Sequence, residues 1–212
     1  MNKFNLLDKL CINIDQRLKA LTPLNEASGR STPDQALSEP SLTSKEKRIS
    51  VGLMRVNHAG EVCAQALYLG QGLTAGLTRI RTQMVKAAQE EVDHLNWCKK
   101  RLTELNSHPS YLNPLWFTGS FIIGAMAGLV GDRWSLGFVA ETERQVVEHL
   151  EKHLCQLPKK DIKSQKIIEQ MHEDEEHHRQ TAVKEGAIKF PLPMQIAMKW
   201  VSKVMTTTAY WI

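Results

Sequence analysis

Four glutamates and two histidines have the types and spacing for metal chemistry: Glu61, Glu91 with His94, Glu143, and Glu175 with His178. A helix brings positions i, i+3, i+4 and i+7 onto one face, and each of the six falls inside an apolar stripe. Glu61 shares a face with Met54, Ala64 and Tyr68. Glu91 and His94 lie among Met84, Ala87, Ala88, Leu95, Cys98, Leu102 and Leu105. Glu143 lies with Val139, Val146, Val147, Leu150 and Leu154, and Glu175 and His178 align with Ile168, Met171 and Ala182. Burying even a neutral polar group without a partner costs roughly 2–7 kcal/mol, and a charge costs more. Four inward carboxylates therefore require positive charge between them, which a pair of divalent metal ions supplies. Carboxylate and imidazole ligands with open positions suit iron and dioxygen better than zinc.

The pattern also repeats. Glu61 and Glu91 are 30 positions apart, Glu143 and Glu175 are 32 apart, and each half supplies a Glu followed by a Glu-x-x-His. Acid-x-x-His occurs at 91/94, 169/172, 174/177 and 175/178. The pairs at 169/172 and 174/177 fall with Gln, Lys, Arg and Glu neighbours and read as solvated faces. Glu90, Asp93 and Lys86 lie off the stripe of their helix, as do Glu141, Gln145, Glu148 and Lys152 of theirs. Asp93 and Asp174 adjoin candidate ligands but point elsewhere and receive no role.

Four helices must carry these residues. Ser44 can cap the first, running from Lys45 to about Gly72; the second spans about Thr78 to Asn106, before Pro109 and Pro114. Asp132 can cap a helix reaching Cys155, and Asp161 one ending near Gly186. The apolar LWFTGSFIIGAMAGLVG and the final PLPMQIAMKWVSKVMTTTAYWI add two accessory helices. No period-2 strand is found, so the expected class is all-α, a four-helix bundle with two apolar or amphipathic additions. Residues 1–18 read as a short helix and 22–44 as a Pro/Ser-rich linker, so that 1–44 serves as a tether and 45–212 as the domain.

Composition narrows the class. In 212 residues, 27 basic and 23 acidic side chains leave a net charge of +4, which excludes a strongly basic nucleic-acid binder. Cys11, Cys63, Cys98 and Cys155 form no CxxC pair, so a reducing compartment is expected, with Cys63 and Cys98 as small core residues. Asp8 and Asp15 interrupt the opening segment, which does not read as a signal or transit peptide.

The segments GLMRVNHAGEVCAQALY (52–68), EEVDHL (90–95), LNPLWFTGSFIIGAMAGL (112–129), FVAETERQVVEHL (138–150), EDEEHH (173–178) and VMTTTAYWI (204–212) resemble the demethoxyubiquinone hydroxylase family. The resemblance implies a ferritin-like di-iron monooxygenase of ubiquinone biosynthesis. Such an enzyme hydroxylates the ring of 2-polyprenyl-3-methyl-6-methoxy-1,4-benzoquinol with dioxygen and a reductant. It places the family's ligands at Glu61, Glu91, His94, Glu143, Glu175 and His178, holding two iron ions, with Glu91 and either Glu143 or Glu175 as candidate bridges. A one-residue slip in EDEEHH would select Asp174 and His177 instead. NADH is a candidate reductant, although no GxGxxG motif is present to bind it. No catalytic residue beyond the metal ligands is expected. The alternatives are another ferritin-like oxidase or peroxidase, or a non-catalytic scaffold for quinone-biosynthesis proteins.

A polyprenyl substrate places the enzyme at the cytoplasmic face of a bacterial inner membrane, peripheral or monotopic. Leu115 to Val130 is an uncharged run of 16 residues, short of the ~20 that a spanning helix needs. It is expected to be interfacial, with Gly119, Gly124, Gly128 and Gly131 spaced for close packing, within the chain or in a homo-oligomer. The final helix aligns Met194, Ala197, Met198, Val201, Val204 and Met205 on one face, with Lys199 and Lys203 off it, a pattern suited to an anionic membrane surface. Trp116, Trp134, Trp200 and Trp211 are candidate interface anchors. His58 reads as structural, and His149 as lying near the substrate path.

Overall fold

A computed structural model describes residues 29–212, which form six helices: α1 (Ser44–Thr74), α2 (Thr78–Glu104), α3 (Asn113–Val130), α4 (Asp132–Gln156), α5 (Ile162–Lys184) and α6 (Leu192–Trp211). The short helix expected over residues 1–18 lies outside the described residues. Helix α1 begins at Ser44, one residue earlier than expected, and Thr43 rather than Ser44 is its cap. Thr43 Oγ1 accepts the Glu46 N–H (3.3 Å) while Glu46 Oε2 accepts the Thr43 N–H (2.8 Å), a reciprocal capping box. Asp161 caps α5 as expected, accepting the Ser164 N–H at 3.2 Å. Asp132 does not cap its own helix. Gly131, at φ 136°, occupies that position, and the Asp132 carboxylate instead accepts the N–H groups of Gly76 (2.9 Å) and Leu77 (2.8 Å). It thereby ties the start of α4 to the turn that opens α2.

Helices α1, α2, α4 and α5 make the bundle, α1 packing along α2 and α4 along α5. Two apolar clusters fill it. One holds Met54, Trp97, Cys98, Leu102, Leu150, Ile168 and Met171, the other Tyr68, Ile80, Met84, Ala88, Leu136, Val139 and Ala182. Along every helix the six candidate ligands fall between these clusters, so the core clamps the site from both ends.

Helix α3 lies on the outside of α1. A Cβ on Gly70 would strike the Phe121 carbonyl and the Ala125 nitrogen, and one on Gly124 would strike the Leu67 backbone, so the two backbones touch where a side chain has no room. Gly128 likewise faces Thr74, whereas Gly119 and Gly131 meet nothing. The glycine stripe is thus spent within the chain and leaves Gly124 and Gly128 unavailable for pairing two copies.

The outer face of α3 exposes Leu115, Ile122, Met126, Leu129 and Val130. The helix is long and apolar enough to cross a membrane by length and composition (mean hydropathy 1.3 over 18 residues). Helix α6 exposes only part of the expected face: Ala197, Val201 and Val204 lie on the surface, but the three methionines do not. Met194, Met198, Met205 and Ala209 turn toward the body of the protein, while Leu192, Ile196, Trp200, Val201, Val204 and Trp211 are exposed. Both sides of this helix are apolar, so sequence periodicity alone did not separate them.

Residues 29–43, expected to be a free tether, are docked across one edge of α2 and α5. Arg101, fully buried on α2, donates to Glu39 (2.8 and 3.0 Å) and Asp161 (2.8 Å), and Lys163 lies 3.3 Å from Glu39 and 3.5 Å from the buried Asp34. Buried charges persist only when paired, and here the strap supplies part of the pairing. Asp93 and Glu141, expected off the core, are also buried. Glu141 is held by Arg144 (2.8 Å) and Gln145 (2.7 Å), and Gln145 reaches the Gln195 carbonyl because α6 covers that flank of α4.

Candidate metal centre

The six expected residues converge, each with no more than 8% of its surface exposed. Ligand atoms of Glu61, Glu91, His94 and Glu175 all lie within 4.8 Å of one another. His94 Nδ1 is 3.2 Å from Glu91, 3.0 Å from Glu175 and 3.6 Å from Glu61; His178 Nδ1 is 3.0 Å from Glu175 and 3.6 Å from Glu91. Glu143 closes the group from α4, accepting a 2.7 Å hydrogen bond from the Tyr68 hydroxyl. The alternative register is set aside by exposure, since His177 faces solvent.

Both histidines are fastened from outside, and the pattern is crossed. His94 Nε2 on α2 donates to Asp174 Oδ2 on α5 (2.9 Å), while His178 Nε2 on α5 donates to Glu90 Oε2 on α2 (2.6 Å). The acid immediately before each Glu-x-x-His thus holds the histidine of the other motif, leaving both Nδ1 atoms turned into the cluster. Outer carboxylates of this kind fix ring orientation and strengthen a histidine as a ligand. From the sequence, Asp174 and Glu90 fall on solvated faces. The signal that would have found them is the repeat itself, acid-Glu-x-x-His at both 90–94 and 174–178.

The electrostatics are those of carboxylates and imidazoles crowded together away from water. Burial, followed by repulsion from Glu175, pushes the Glu91 and Glu143 carboxyls well above their ordinary range. Burial also opposes charge on His178, yet Glu175 and Glu90 outweigh it and raise its pKa to about 12; Asp174 and the cluster raise His94 in the same way. Glu175 is held low because the two histidines outweigh its burial. Glu91 Oε1 and Glu143 Oε2 are buried without a hydrogen-bond partner. Buried carboxylate oxygens are otherwise satisfied, so unpaired acceptors in a pocket that also holds two imidazole nitrogens fit divalent cations.

A model of the family described as ubiquinone biosynthesis protein COQ7 matches residues 48–209, which include all six residues. A protein of Legionella pneumophila strain Paris named 3-demethoxyubiquinol 3-hydroxylase is 53% identical over the whole of both chains. The chain belongs to the COQ7 family. Two further relatives of the same name support this: one from Acinetobacter baylyi, 52% identical over all of both chains, and one from Nitrosococcus oceani, 51% identical over 99% of this chain and 98% of its own. Among solved structures, the dodecameric thioferritin of Bacteroides fragilis, a bacterioferritin-related protein, is similar at a TM-score of 0.54 and 19% identity. That match covers 64% of this chain and 82% of the other. It establishes a ferritin-like bundle for this COQ7 chain.

A cleft of about 200 Å³ lined by Tyr68, Met84, Glu90, Leu136, Val139 and His178, among others, opens onto the α2, α4 and α5 side of the centre. The other histidines of interest lie away from it. His58 is buried and 3.2 Å from the Asn113 amide, which makes it structural as expected. His149 lines a separate cavity of about 260 Å³ with Leu53, His153, Tyr210 and Trp211, and its ring is 3.9 Å from that of His153. Burial pushes the Cys63 thiol up to about 11 and raises Cys98 well above its ordinary value, which suits both to the small core role expected of them.

His153 gives the chain an acid sensitivity that can be isolated. Its Nδ1 bonds Asn57 Oδ1 at 2.7 Å, and burial, then His149, lower its pKa to about 3 from 6.5. A histidine depressed in the folded state contributes fully above its unfolded pKa, and that contribution is lost as pH falls through 6.5 toward 3. The stability advantage of wild type over His153→Gln, measured by urea denaturation, is expected to shrink by about 2–3 kcal/mol between pH 7 and pH 4. A gap independent of pH would contradict this.

Proposed function

We propose that this chain is a 3-demethoxyubiquinol 3-hydroxylase, a di-iron monooxygenase acting on the ring of the polyprenyl quinol. The observation that carries the assignment is full-length similarity, at 51–53% identity, to proteins of that name. The buried carboxylate and histidine cluster supports it. Glu61, Glu91, Glu143 and Glu175 with the Nδ1 atoms of His94 and His178 would hold two iron ions. The iron pair, when bound, supplies the electrons and open positions that activate dioxygen.

The protein's own part is positional. Asp174 and Glu90 hold the histidine rings, and Tyr68 holds one oxygen of Glu143, leaving its other oxygen for metal. The two core clusters wall the centre at both ends. One oxygen atom enters the quinol ring and the other leaves as water, so each turnover consumes two electrons from a reductant, for which NADH is the candidate. The exposed apolar faces of α3 and α6 are suited to a membrane surface carrying the polyprenyl tail, with the enzyme peripheral or monotopic on the cytoplasmic side.

The test uses purified, Fe(II)-loaded protein with 3-demethoxyubiquinol in vesicles, a reductant and isotopically heavy dioxygen. The expected product is a quinol carrying one heavy oxygen, read by mass spectrometry. Iron oxidation with no labelled quinol would instead favour a storage or peroxidase role, and no iron binding would favour a scaffold.

A further inference from the structure

We infer that Arg30 is a positioning residue for the metal centre, acting from the docked strap through Asp174 on His94; this rests on the ligand set proposed above. Arg30 Nη2 donates to Asp174 Oδ2 at 2.8 Å, and that same oxygen accepts His94 Nε2 at 2.9 Å. The Arg30 guanidinium also lies over the buried Trp97 ring, 4.9 Å from its centre, and the Trp97 ring is 5.2 Å from that of His94. One side chain from outside the bundle therefore touches both groups that flank this histidine.

The two histidines differ in this respect. On the His178 side, Glu90 has a cation on its own helix, Lys86 at 3.5 Å. On the His94 side, Asp174 receives Gln170 on its second oxygen (3.2 Å), but its cation comes from 144 positions away. An exposed ion pair alone contributes little stability. The strap holds Arg30 in place by separate anchors: Lys100 donates to Thr32 (2.9 Å), and Glu39 accepts from the buried Arg101. Arg30 thus selects one carboxylate orientation for Asp174, and that orientation aims His94 Nδ1 into the cluster.

The test is Co(II) titration of the metal-free full chain, following both affinity and the visible spectrum of the bound ion, alongside melting of the metal-free protein. Asp174→Asn should weaken Co(II) binding about 10–100-fold, the usual range for an outer partner of a ligand histidine. Arg30→Ala, acting one step further out, should weaken it about 3–10-fold with an altered spectrum and an unchanged metal-free melting temperature. Arg30→Lys should recover part of the loss, and adding Arg30→Ala to Asp174→Asn should cost nothing more. Wild-type affinity and spectrum in Arg30→Ala, or additive losses in the double variant, would overturn the inference. Failure of the unaltered protein to bind Co(II) would overturn the ligand set and this inference with it.

Discussion

A strain whose only copy of this protein carries Glu143→Ala is expected to accumulate the demethoxy quinol and to lose ubiquinone, with hydroxylase activity down by more than about 100-fold. Loss of an outer partner to a metal ligand already costs 10–100-fold, and Glu143 would be a ligand itself. The side chain is buried, bonded through one oxygen to Tyr68 and unpartnered at the other. Truncation removes a carboxylate that burial and Glu175 disfavour, so the metal-free fold should persist and the loss should be chemical. Mass spectrometry of the quinone pool reads the first result and circular dichroism the second. Unchanged ubiquinone levels would contradict the assigned role, and an unfolded variant would contradict the account of the cluster.

Glu91→Gln is expected to change stability in opposite directions with and without metal. In the metal-free protein the carboxylate is wholly buried beside Glu175 and Glu61, which together with desolvation raise its pKa. A raised carboxyl pKa means stability present below the unfolded value near 4.5 and lost as pH climbs through the folded value. The glutamine should therefore stabilise the metal-free protein at neutral pH, by on the order of 1–3 kcal/mol, and by more at pH 8 than at pH 5. With metal the order reverses. An ion at a thousand times its dissociation constant adds about 4 kcal/mol to a protein that binds it, and the variant would forgo most of this. Urea denaturation with chelator and with Fe(II) under anaerobic conditions measures both halves. A variant less stable than wild type in chelator would show that the cluster does not hold the repulsion described.

The centre was largely legible in the sequence because helical geometry is rigid. Once Met54, Ala64 and Tyr68 define a face, Glu61 has nowhere else to point, and the same holds for Glu143 between Val139 and Leu150. What a helix face cannot state is which neighbour covers its flank. Glu90 and Asp174 lie at the margin of their stripes and look solvated until α2 and α5 are set side by side, when each meets a histidine. Arg101 was missed for a related reason. A guanidinium at a helix edge is ordinarily exposed, and it is the strap together with Glu104, Asp161 and Ser164 that encloses this one. The strap itself has the Pro and Ser content of a linker, yet Arg30, Asp34 and Glu39 are spaced to meet cations and carboxylates that lie far along the chain. In α6, methionines and β-branched residues are both apolar, so hydrophobicity could not distinguish the side facing the protein from the side facing away.

The exchange of partners between the two histidines has a consequence for how the molecule could be divided. Neither half of the chain completes its own imidazole: the first half lends Glu90 to the second and borrows Asp174 in return. Each helix pair is therefore incomplete without the other, and the two halves of the chain are tied by a reciprocal exchange. Sliding α5 past α2 by even one residue would unseat both rings together, which makes the paired bonds a gauge of helix register as well as a mount for metal.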